Sequence, residues 1–227
     1  MSNHRGARPT LVVRRAGAWT MVVVLASVVL VFAGTRLVTD VPYIASGTTP
    51  HPLSFEYRYA AYPWLAYAHI APGIVFLLLA PIQLWRGFRD RHATWHRRIG
   101  RIAIVAGFLS GICAVVFGLF LSYGGALQAS AAVLFGIWFI TALAIAYRAI
   151  RQREVRHHRR WMIRAYAVAL GVGTIRLWIG LLTELGVLPL RDAFGVAFWL
   201  AFVMHTAAAE LWLRRRPMSY GVARATG

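Results

Sequence analysis

Several ionisable side chains stand inside long apolar stretches of this sequence, where each needs a physical reason. A charged group at the centre of a bilayer-spanning helix costs roughly 2.5–3.5 kcal/mol on insertion scales. Arg176 lies about 9 Å from the end of its apolar block at 1.5 Å rise per residue. Ala169, Gly173 and Gly180 share its helical face, so that face is expected to meet another helix rather than lipid. Glu184, beyond it toward the outer loop, is the expected counter-charge. Such an arginine either binds an anion internally or snorkels to headgroups.

His69 lies about 8 Å into its own block, counted from Trp64. It shares a helical face with Gly73, Phe76, Ala80 and Gln83. Pro72 removes one backbone donor beside it. His69, Gln83, Arg176 and Glu184 together form the expected polar or anion site. His205 is buried more deeply, among Ala201, Ala208 and Ala209, and Glu210 is expected to pair with Arg214 at i,i+4.

His96 and His158 open two further blocks at equal depth, each beside arginines. A bis-histidine haem b needs two imidazoles at one depth, which this pair satisfies. His69 and His205 differ by roughly 11 Å on the rise estimate. His69, His96, His158 and His205 are thus the cofactor candidates, with a single axial ligand also compatible. Arg97, Arg98, Arg101, Arg159, Arg160 and Arg164 surround the His96 and His158 segments and suit anionic lipid headgroups. No HExxH, GxGxxG, GxSxG or P-loop pattern is present, and no residue reads as catalytic. The single cysteine, Cys113, rules out an intramolecular disulfide and a cysteine-paired metal site, and no metal site is expected.

The elements that must position these groups are transmembrane helices. Of 227 residues, 59% are hydrophobic, and they are gathered in blocks. Six blocks reach the roughly 20 residues a bilayer crossing needs: 16–34, 64–85, 99–121, 126–147, 161–182 and 193–213. The formal charge of +18 contains no lysine. Its arginines fall between apolar blocks, as the positive-inside rule requires, which argues against a nucleic-acid partner. The basic connections alternate with arginine-poor ones, placing both termini in the cytoplasm. The fold class is an all-α polytopic bundle of six spans. Its parts are a basic N-terminal segment (1–15), a retained first helix (16–35), an outer loop (36–63), a five-helix domain (64–213) and a basic tail (214–227). Pro42, Gly47, Pro50 and Pro52 disfavour helix in the outer loop, and Tyr57, Tyr59, Tyr62, Trp64 and Tyr67 resemble an interfacial belt. The HRR at His96 recurs at His158, suggesting two similar helix-loop-helix units, and GFLSG at 107–111 fits close helix packing.

Two runs carry a family resemblance: HIAPGIVFLLLAPIQLWRGFRDRHATWHRRIGR and HHRRWMIRAYAVALGVGTIRLW. With His69, Gly73, Pro81, Gln83, His96, Arg97, Gly100 and Arg101, then His158, Arg159, Met162, Arg164 and Arg176, the chain resembles the DUF2306 family of predicted bacterial membrane proteins over residues 60–213. Glu210 matches that family's late acidic position. The resemblance implies a multi-helix bundle and no particular reaction. Three functions fit the residues: a structural, assembly or lipid-interacting subunit, with protein partners or a homo-oligomer; a small-anion or proton-coupled transporter using Arg176 and His69; and a haem-bearing redox protein. The expected location is the bacterial cytoplasmic (inner) membrane.

Overall fold

A computed structural model describes residues 9–215, and no strand occurs among them. The helices are α1 (Pro9–Ser46), α2 (Tyr57–Ala61), α3 (Pro63–Leu84), α4 (Arg86–Arg91), α5 (Ala93–Phe120), α6 (Gly125–Arg151), α7 (Val155–Glu184) and α8 (Leu190–Arg215). Six of them, all but α2 and α4, are long and apolar enough to cross a membrane. Their outward faces carry Val31, Val38, Val105 and Phe120, each more than 60% exposed, as suits lipid contact rather than water. Arg5 and Arg8 of the basic N-terminal segment and the tail beyond Arg215 lie outside the described residues.

Four spans close into a ring. α3 packs on α5, α5 on α6, α6 on α7, and α7 returns to α3. α8 fills the groove of α6 and α7, while α1 lies across α7 and α3. Lipid tails are as apolar as leucine, so helices associate here through close van der Waals fit. Small residues supply it: Ala103, Ala131, Ala142, Ala146, Ala165, Ala197 and Ala201 are all fully buried. The GFLSG stretch works the same way. A Cβ on Gly107 would stand 2.8 Å from Leu143 and 2.9 Å from Phe76, and one on Gly111 would stand 2.9 Å from Phe139.

The stretch expected as an outer loop is largely helical. α1 runs unbroken past Pro42 to Ser46, and α2 forms another turn before Pro63 starts α3. Proline costs a helix one hydrogen bond, and side chains around Pro42 hold the turns together. Arg36 and Asp40 pair at i,i+4 over 3.4 Å, and the Ser46 hydroxyl donates to the Pro42 carbonyl at 2.8 Å. The tyrosines divide likewise. Tyr62 is exposed as a belt residue should be, but Tyr59 is buried and Tyr67 donates to Asp40 at 3.3 Å.

Candidate functional site

The site begins where α3 meets α5. Ser110 donates its hydroxyl to the His69 carbonyl at 2.8 Å, and His69 Nδ1 lies 3.0 Å from the Ser110 carbonyl. A carbonyl can only accept, so Nδ1 carries the proton and the lone pair of a neutral ring sits on Nε2. No side chain among the described residues is bonded to that nitrogen. Gly73 makes the approach feasible, since a Cβ there would stand 2.8 Å from Ser110 Oγ. The absence of a side chain at Gly73 and the hydroxyl at Ser110 thus fix one imidazole orientation.

Arg176 projects from α7 into the same interior. Its guanidinium lies 3.6 Å above the Phe32 ring of α1 and within electrostatic reach of the phenol of Tyr59 on α2, with its Nε buried and unpartnered. Burial pushes the Tyr59 phenol above its ordinary range, so it stays neutral and leaves the charge on Arg176 uncompensated. Arg36, one turn beyond Phe32, takes the nearby acids instead. It contacts Asp40 at 3.4 Å and Glu56 at 3.7 Å, and stands 5.1 Å from both the Phe55 and Tyr59 rings. Two guanidinium groups therefore flank Phe32, and only one has carboxylate partners among the described residues.

Between His69 and Arg176 lies a cavity of about 210 Å³. Its polar edges are His69, Ser110, Tyr59, Gln128 and Arg176; its walls are mainly aliphatic and aromatic. The Oε1 of Gln128 is already occupied by the Gly124 N–H at 2.6 Å. What remains is one unneutralised cation, one phenol hydroxyl, the Gln128 amide nitrogen and one bare imidazole nitrogen around an apolar space. That arrangement can bind an anion and orient it; Ser110 Oγ also stands 3.1 Å from His69 Nδ1, but its proton goes to the His69 carbonyl and Nδ1 faces the Ser110 carbonyl, so the pair is not set as nucleophile and base.

The other expected site residues disperse. Glu184 is exposed at the end of α7, about 12 Å along the axis from Arg176, and Tyr59 takes the partner's place. Gln83 lies about 21 Å along α3 from His69. It sits at the opposite end of the bundle, where a Cβ on Gly100 would stand 3.1 Å from its Oε1. His205 is held by the Thr174 hydroxyl, 2.7 Å from its Nε2, in the seam of α7 and α8. Glu210 does not turn to Arg214; it accepts two bonds from Arg164, at 2.5 and 3.0 Å, because α7 and α8 pack with those residues opposed.

At the arginine-rich end, His96 and His158 lie within electrostatic reach of one another across the ring. His158 donates Nδ1–H to the Ala146 carbonyl at 2.8 Å, again leaving Nε2 bare, while His96 Nδ1 is buried without a partner. No cluster of three or more His, Cys, Asp or Glu at metal-binding spacing occurs among the described residues. Arg97 donates to Thr94 at 3.2 Å, Arg98 stacks on Trp95, and Arg101 borders an apolar groove beside Pro72. Arg160 lies within the field of Glu210, while Arg159 is partly buried.

Sequence reasoning missed Ser110, Tyr59 and Phe32. Ser110 carried a signal, being a hydroxyl amid the apolar GFLSG run; Tyr59 and Phe32 matter through contacts across 117 and 144 residues of chain to Arg176, which no local pattern displays. No curated protein and no solved structure matches the sequence. A family model does, over residues 66–213, which takes in α3 from its second turn through the end of the bundle with His69, Ser110 and Arg176. With its six membrane-length helices and that match, the chain belongs to the family described as "Predicted membrane protein (DUF2306)".

Proposed function

We propose that this protein binds an organic anion in the central cavity, as a multi-pass protein of the bacterial cytoplasmic membrane. Its arginine-rich end faces the cytoplasm, by the positive-inside rule, and touches anionic headgroups there. The cavity then opens nearer the outer leaflet. One observation carries the reading: Arg176 faces a largely apolar space and has no carboxylate partner among the described residues, although two carboxylates lie close by on Arg36. Burying an unpaired charge is costly, and a bound anion removes most of that cost. The Tyr59 hydroxyl adds a donor at the same edge, and His69 supplies the second polar contact.

A ligand that binds only the folded state stabilises it by about 2.7 kcal/mol at a hundred times its Kd. Purified wild-type protein should therefore gain thermal stability with at least one monocarboxylate in a panel, and Arg176→Gln should not. A panel in which no acid separates wild type from Arg176→Gln would sink the proposal.

A further inference from the structure

We infer that the anion is a single-ring aromatic carboxylate bearing a hydroxyl group, which lies between Arg176 and His69. This rests on the anion-binding reading above and adds the ligand's class. Size comes first. A dry protein cavity of about 150 Å³ accommodates benzene, and this one measures about 210 Å³. It is sized for one ring with small substituents. Shape and surface come second: Phe76, Phe117, Phe139, Phe198 and Phe202 line it, from four different helices, offering edges and faces to a ring.

Hydrogen-bond sense comes third and discriminates most. At one edge, Arg176 can only donate, and the Tyr59 hydroxyl has a hydrogen to give beside it. At the other, His69 has its proton committed to the Ser110 carbonyl and presents a lone pair. The ligand must accept at one end, as an anion, and donate at the other. A dicarboxylate would set a second anion against the imidazole lone pair. A quinone accepts at both ends, and an inorganic anion leaves the apolar walls bare. A hydroxylated aromatic acid meets all three requirements, its carboxylate on Arg176 and Tyr59 and its hydroxyl donated to His69 Nε2.

Equilibrium dialysis of the purified full chain in detergent tests this, using radiolabelled meta- and para-hydroxybenzoate, benzoate, para-hydroxybenzamide and octanoate. At least one hydroxybenzoate should bind roughly threefold to tenfold tighter than benzoate, the contribution of one hydrogen bond to an otherwise empty acceptor. The uncharged amide should bind at least tenfold more weakly. His69→Ala should erase the preference for the hydroxyl while benzoate still binds. His69→Gln, which retains an acceptor oxygen, should keep part of that preference and serves if the alanine variant fails to fold. Equal binding of benzoate and both hydroxybenzoates by the wild type would overturn the hydroxyl assignment. Octanoate binding tighter than any ring acid would overturn the aromatic class, yet leave the anion site standing if Arg176→Gln abolishes it. Absence of binding by every acid would remove both readings.

Discussion

Single atoms decide much of this site. A methyl group at position 73 would meet Ser110 Oγ at 2.8 Å, closer than packed atoms tolerate. Gly73→Ala is expected to cost about 1–3 kcal/mol in the wild type and distinctly less in a Ser110→Ala background, where the oxygen is gone. Thermal unfolding of the four proteins in a double-mutant cycle measures that coupling; additive losses would show that the contact does not matter. At this scale the sequence was half legible. His69 and Arg176 announced themselves because a charge or imidazole in an apolar run is expensive. Gln83 and Glu184 looked like their companions only because helical periodicity shows which face a residue occupies and hides how far along the bundle its partners stand. The true companions, Tyr59 and Phe32, lie on other helices.

Between elements, a backbone contact holds α1 and an ion pair holds α8. A Cβ on Gly173 would come within 2.6 Å of the Leu25 carbonyl of α1, and a backbone oxygen cannot rotate away as a side chain can. Gly173→Leu should push α1 off the ring, raising protease cleavage within residues 47–56 while the rest stays resistant. Unchanged cleavage would mean that α1 is held elsewhere. The bidentate Arg164–Glu210 pair joins α7 to α8 with the two side chains 13% and 32% exposed, between the surface and buried cases. Glu210→Gln should lower stability by about 1–3 kcal/mol; melting temperatures of Glu210→Gln and of the reversed pair Arg164→Glu with Glu210→Arg check it, the reversal recovering part of the loss. The six helices themselves were plain from block length and arginine placement. The extra helix in residues 36–46 was not, because Pro42 argues locally for a break and the ion pair that overrides it joins side chains whose burial no sequence rule reports.

For the molecule as a whole, alternation of six spans puts the α4 and α6–α7 connections on one side, and the α5–α6 and α7–α8 connections on the other. In a Cys113→Ala background, single cysteines at Thr94 and Gln152 should react with an impermeant maleimide only in inside-out vesicles, and one at Val187 only in right-side-out cells. Reaction of Thr94 and Gln152 from opposite sides would break the arrangement.

The position of α1 has one more outcome. Phe32 and Val29 form part of the cavity wall, while Val31 and Val38 on the same helix face outward and apolar. The seam along α1 therefore borders hydrocarbon rather than solvent. Any loosening of this stave admits oily molecules sideways before it admits dissolved ions from above. Exchange of guests should then follow the thickness and fluidity of the surrounding lipids, and hardly notice the salt in the buffer.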